Sequence, residues 1–255
     1  MRGAWSGEPK LAVRAVNGRV LLHECKVHGR GSTAQLARSE GWQLVPTASV
    51  FTSSGSSEVQ RADDLKRITR LHEAAHAVFH ASLVGTCCCE VHVWGSGKYE
   101  EAFTVSCPEG NEQTPAHVRA IAALAGPAIN ALAGQASDQD ERLWLWRGTL
   151  GDYVKAASLV AKEADILALW DSAVALAQSL RPAIEAVADL LANESRLTED
   201  HVDAAVRAYP PLRPLPSDMR KLIKPDLLAD WDSDSESKDA QQSGSGSAAT
   251  HSGDT

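Results

Sequence analysis

Residues 68–79 read Ile68-Thr69-Arg70-Leu71-His72-Glu73-Ala74-Ala75-His76-Ala77-Val78-Phe79. Around them Leu65, Ile68, Leu71, Ala75, Val78, Phe79 and Leu83 recur every three or four positions. That period belongs to an amphipathic helix. Asp63 or Asp64 suits its N-cap, and Gly85 suits its stop. The helix contains H-E-x-x-H. Histidines four apart sit about 40° apart around the axis and roughly 6 Å along it, so their imidazoles can converge on one ion. Zinc takes such nitrogens at about 2.0–2.1 Å. Glu73 lies too far round to ligate comfortably, but it is placed to touch a water on the metal. The pattern therefore points to zinc-dependent hydrolysis of peptide bonds, with His72 and His76 as ligands and Glu73 as the base. A third protein ligand is required, and this helix does not supply it. His80 lies a further turn along and is better read as a surface or outer-sphere histidine. The bland alternative for the whole motif is two histidines and a Glu on an ordinary helix.

Working outward, residues 1–58 read as a small β-rich subdomain or arm. Leu11–Val16 and Arg19–His23 flank Asn17-Gly18, a preferred hairpin pair, and Trp42–Phe51 reads as a third strand. Thr52–Ser57 reads as a linker. Downstream of the motif, Glu90–Trp94 alternates like a strand, and Ala102–Cys107 reads as its partner across a Gly95-Ser96-Gly97 turn. Glu90–Trp94 is also a candidate edge for an extended substrate backbone to pair with. Thr114-Pro115 predicts a capped helix start with proline at the first helical position. Gly126-Pro127 predicts a kink or break, because proline lacks the N–H that a helix needs. Beyond Gly151 the chain reads as helices over about 150–162, 164–180, 182–193 and 199–208, the last capped by Thr198. The fold class is thus α+β and mostly α-helical: a metal-binding helix, a small sheet and a C-terminal helical bundle. Expected boundaries are 1–58, a main domain over 59–212, and an extension over 213–255, disordered from about 232.

The chain has 255 residues and a formal net charge of -8. From Asp226 onward seven acidic residues face Lys238 alone, so the tail carries six of those charges. The remainder is nearly neutral and offers no basic excess for nucleic acid. No apolar run reaches the roughly 18 residues of a membrane span, and the first residues lack a signal-peptide core. The five cysteines, Cys25, Cys87, Cys88, Cys89 and Cys107, form an odd set and do not resemble a disulfide framework. A reducing cytoplasm is the expected setting. His23, Cys25 and His28 lie close together, but no second pair completes a tetrahedral set.

These pieces resemble, in order, the peptidase domain of FtsH-type AAA zinc proteases. The matching segments are His72-Glu73-Ala74-Ala75-His76, the strands over 90–106, Leu124-Ala125-Gly126-Pro127-Ala128-Ile129-Asn130, Thr149-Leu150-Gly151-Asp152, and the helical stretch Ile184 to Asp200. The resemblance spans about residues 62–208. It implies Asp152 as the third zinc ligand, although Thr149 and Asp152 also read as a helix-capping pair. Asp138, Asp140 and Glu141 are the other carboxylates in that part of the chain. Three residues depart from the family pattern: Ala75 stands for Gly, Pro127 for Arg and Asn130 for Glu. No G-x-x-x-x-G-K-[ST] phosphate loop occurs. The expectation is a metallopeptidase that is ATP-independent on its own. It would cut exposed protein or peptide segments, or act with a separate unfoldase or as a homo-oligomer. The alternative is a non-proteolytic zinc-binding interaction protein that retains the fold.

Overall fold

A single long helix, α1 (Glu58–Ser82), forms the axis of the structure. The computed structural model describes residues 9–16, 19–26, 43–46, 58–95, 100–106, 114–133, 149, 151–159 and 166–233. The helix starts at Glu58 instead of at the Asp63/Asp64 cap, because Glu58, Gln60, Arg61 and Ala62 are good helix formers and extend it backwards. From Leu71 to Leu83 it is buried on nearly every side, with Ala74, Ala75, Ala77, Val78 and Phe79 fully enclosed. A helix enclosed all round has to be wrapped by other elements. Its C-terminal end is finished by three contacts. The Thr86 hydroxyl reaches the His80 and Leu83 carbonyls, the Lys224 N–H donates to the Ser82 carbonyl, and Gly85 turns the chain with φ +71°.

One antiparallel sheet covers α1. It consists of β4 (Cys88–Trp94), β5 (Glu101–Ser106) and the short β6 (Arg196–Thr198), in the order β5-β4-β6. Val91 lies opposite both Thr104 and Leu197. β4 is therefore the central strand and not an edge open to a substrate backbone: β6 pairs with its other side, and the Val93 N–H bonds to the Ser195 carbonyl. Among the described residues β5 and the three-residue β6 are the edge strands, and β5 is the longer. The Arg70 guanidinium makes a two-pronged pair with Glu100, Nε to Oε2 at 2.8 Å, which ties the start of β5 to α1. Cys87, just before β4, is disulfide-bonded, while Cys88 and Cys89 carry no disulfide. Pairing depends on Cβ atoms about 4 Å apart, which chain spacing does not report.

Two short helices follow, α2 (Ala116–Ala123) and α3 (Ala125–Ala133). The break falls at Leu124. Pro127 has no N–H to return to the Ala123 carbonyl, and the Leu124 N–H tightens onto Ala120 and Ile121 instead. Pro115 is itself the N-cap residue of α2, and no side chain caps it. The Thr114 hydroxyl, expected as that cap, bonds instead to the Gly85 carbonyl, joining this turn to the end of α1. Residues 151–159 form α4, and Tyr153, Ala156 and Ala157 bury into the core. The bundle then runs through α5 (Ile166–Ser179), α6 (Arg181–Leu191) and α7 (Glu199–Ala208). Thr198 is the N-cap of α7, and its N–H donates to His201 Nδ1. The architecture is mostly α-helical with a small antiparallel sheet, as expected.

At the N-terminal end β1 (Pro9–Val16) pairs with β2 (Arg19–Lys26) in a tight hairpin register and with β3 (Gln43–Pro46) on its other side. The Asn17-Gly18 turn and the His23, Cys25 and His28 side chains lie outside the described residues. So does the chain beyond 233, which includes most of the stretch expected to be disordered. Residues past 212 contribute to the core: Leu215, Ile223, Leu227 and Trp231 are buried in it. Residues 217–220 form α8 and residues 225–233 form α9. Arg207 pairs with Asp226 and Asp230, Arg220 pairs with Asp232, and the Trp231 indole N–H donates to the Val206 carbonyl. No described helix is long and apolar enough to cross a membrane. Trp231→Ala is expected to cost about 3 kcal/mol, the usual loss for a buried indole. Chemical denaturation measures it, and a midpoint equal to wild type would mean that α9 is not part of the folded unit.

Candidate metal centre

α1 presents His72 and His76 one turn apart on one side, both nearly fully buried. Across from them α4 delivers Asp152. Three atoms meet there. His72 Nε2 and His76 Nε2 are 3.2 Å apart, and Asp152 Oδ2 is 3.0 Å from the first and 3.3 Å from the second. Ligands about 2.0–2.1 Å from a tetrahedral ion are separated by edges of roughly 3.3 Å. The triangle is one face of such a tetrahedron. The three residues thus form a buried group able to hold a metal ion, and no fourth His, Cys or carboxylate joins it among the described residues.

The backbone supports this fit. An ideal Cβ at Gly126 would lie 2.4 Å from His72 Nε2 and 2.5 Å from His76 Nε2. Only glycine leaves the ligand nitrogens room at that point of α3. The helix break forced by Pro127 lies two residues earlier. The partners of the imidazoles also matter, because metal-binding histidines present one nitrogen and anchor the other. His76 Nδ1 is 3.0 Å from the Ala122 carbonyl, a fixed acceptor that directs a free Nε2 lone pair at the site. His72 Nδ1 is 3.0 Å from the side-chain amide of Asn130.

Charge is balanced tightly. Burial opposes ionisation of Asp152, but the His76 charge and the bonds to both imidazoles outweigh it and hold the carboxyl well below the usual range. Burial likewise opposes protonation of His76, and the Asp152 carboxylate overrides it, with Glu73 and the Ala122 carbonyl adding to the upward shift. His80 behaves differently. Burial, with His76, Lys155 and Lys224 nearby, pushes it down to about 3, so it is a neutral core histidine outside the triangle. Asp138, Asp140 and Glu141, the alternative carboxylates, lie outside the described residues.

Glu73 stands beside the triangle, with Oε1 4.0 Å from His72 Nε2. Its other oxygen is 2.8 Å from the Thr104 hydroxyl, which also approaches the Glu73 carbonyl at 3.0 Å. The site therefore includes residues that sequence reasoning missed. Thr104 lies on β5, 31 positions from Glu73, and nothing in its local sequence marks it. Gly126 had one local sign, a glycine placed inside a helical pattern just before a proline.

Gly126→Ala is expected to abolish stoichiometric metal loading. Gly151→Ala, with nothing within 4 Å, should leave it intact. Elemental analysis after dialysis distinguishes the two. A pH dependence follows as well. In the metal-free protein the His76–Asp152 pair needs a protonated imidazole and an ionised carboxyl. Its stabilisation is fully present between the ordinary carboxyl value near 3.9 and the ordinary imidazole value near 6.5. It is lost as pH rises through the raised His76 value, and as pH falls through the lowered Asp152 value. Calorimetry in chelator should show a melting temperature that declines above about pH 6.5, with the decline reduced in His76→Gln.

The sequence matches no protein-family model and no curated protein.

Proposed function

We propose that the chain is a zinc metallopeptidase that hydrolyses peptide bonds in exposed or partner-delivered protein segments. The observation that carries this reading is the tetrahedral face made by His72, His76 and Asp152 with a separate carboxylate, Glu73, beside it. A purely structural zinc site is closed by four protein ligands and has no use for an adjacent base. The resemblance to FtsH-type peptidase domains gives the same assignment for all four residues.

His72, His76 and Asp152 would hold the ion. A zinc ion held there would supply a water with its pKa lowered to roughly 7 and a Lewis acid for the attacked carbonyl. Glu73 would take the proton of that water and pass it to the leaving amine. Thr104 keeps the Glu73 carboxylate turned to that task by occupying one of its oxygens. The open edge of β5 offers main-chain groups to an extended peptide, which would lie alongside the residue that orients the base. Asn130 and Pro127, in the places of Glu and Arg in the resembling family, bear on how the ligands are held and leave the donor set unchanged.

A second reading has its own support. Trp94 and Phe103 are exposed on the outer face of the sheet, with His92 stacked on Phe103. Such a patch fits an interaction protein that binds zinc without cleaving. One experiment separates the two. Zinc content and cleavage of an unfolded protein such as casein are measured for wild type and Glu73→Gln. The peptidase reading expects one zinc in both and cleavage in wild type alone. Zinc without cleavage supports the interaction protein, and wild type that binds no zinc sinks both.

A further inference from the structure

The two histidines of the metal group are anchored by unlike partners. His76 Nδ1 faces a main-chain carbonyl, which can only accept. His72 Nδ1 faces Asn130, whose amide can either donate or accept. Asn130 is almost fully buried at 4% exposure, and its Nδ2 lies toward the imidazole. Its Oδ1 is buried and has no hydrogen-bond partner among the described residues.

That arrangement has a definite proton pattern. An Nδ2–H that donates to His72 Nδ1 uses the lone pair there. The imidazole proton then sits on Nε2 and is donated to Asp152 Oδ2 at 3.0 Å. Asn130, His72 and Asp152 form a closed chain of hydrogen bonds, with the ligand nitrogen occupied by a proton. Metal binding demands the reverse. An ion can take Nε2 only when the proton is on Nδ1, and an Nδ1–H facing an Nδ2–H would set two donors against each other. Rotation of the amide by half a turn removes the conflict, because Oδ1, the atom left without a partner, then accepts the Nδ1 proton.

We propose that Asn130 is the positioning residue that selects the tautomer of His72. Its amide oxygen holds the Nδ1–H form when metal is bound, and its amide nitrogen holds the competing Nε2–H form when metal is absent. At His72 the metal then has to reverse the tautomer, whereas at His76 the Ala122 carbonyl already holds a proton on Nδ1. This inference rests on the metal-binding part of the reading above and not on peptide hydrolysis.

The test is zinc affinity by competition with a chromophoric chelator, in the full chain. Asn130→Leu keeps the size and removes both hydrogen bonds, and it is expected to weaken zinc about 10- to 100-fold. Asn130→Asp supplies an acceptor in every orientation and should bind zinc at least as tightly as wild type. Nitrogen NMR of the histidine rings supplies a readout that mere packing would not move. His72 in wild type should be the Nε2–H tautomer without zinc and Nδ1–H with it, whereas His76 stays Nδ1-anchored in the zinc form. An Asn130→Leu affinity within threefold of wild type, or an Asn130→Asp protein as weak as the Leu variant, overturns the proposal. An unchanged His72 tautomer does the same. Should the Leu variant fail to fold, the Asp variant and the wild-type spectra decide. Wild type that loads zinc and cleaves nothing would end the peptidase reading and leave this inference standing.

Discussion

Asp152 is a carboxylate taken largely out of water and set about 3 Å from two imidazoles. A lone charge in that position would be costly, and so would a protonated His76 left without its counter-charge. The three are tolerable only together, and much of the architecture serves to bring them together. α1 must present its two histidines to the same side. The chain over α2 and α3 must break so that Gly126 can pass close to the ligand nitrogens. α4 must be rooted firmly enough to hold its acid in place, and the buried Tyr153 ring against Trp170 provides that anchor.

The sheet has a complementary part. It buries one side of α1 and fixes Glu73 through β5, at one point directly and at another indirectly. Thr104 touches the carboxylate itself, and the Arg70–Glu100 pair secures the start of the strand one helical turn earlier on α1. The strand that holds the Glu73 carboxylate in place is therefore also one with an open edge among the described residues. Under the proposed function, a peptide laid along that edge and the carboxylate proposed to act on it would share one frame, so a displacement of the strand would misplace both together.

Much of this was legible in the sequence, and the reasons are local. The H-E-x-x-H spacing, the apolar period around it, the hairpin signal at Asn17-Gly18, the proline break and the Thr198 cap each depend on residues within a turn or two of one another. Assigning Asp152 took more, since the link to His72 spans 80 positions. Only the ordered resemblance to a known domain singled it out from its neighbours. The features that escaped are set by contacts between distant segments. Glu90–Trp94 reads as a strand and as a candidate edge for a substrate, yet β6 arrives from 106 residues away to cover it. Thr114 has the character of a cap, yet its hydroxyl is drawn to Gly85 by tertiary packing. The Pro-rich stretch near residue 210 reads as the end of a domain, whereas four apolar residues beyond it return to the core. Asn130 could be seen as a departure from a pattern, but its bearing on His72 depends on which atom of the amide faces the ring.

The clasp at the end of α1 joins Leu83 to Ile223 and Ser82 to Lys224, across about 140 positions of chain. This sets an order of events during synthesis. The helix bearing the candidate ligands leaves the ribosome some 140 residues before the segment that finishes its C-terminal end. Contacts so far apart in the chain form only once both partners are available. The centre is thus completed late, and any ion bound earlier would be held by a helix whose end is still open. Maturation of the centre is tied to the arrival of nearly the whole described chain, so a nascent fragment carries the histidines and Glu73 without the frame that holds them in register.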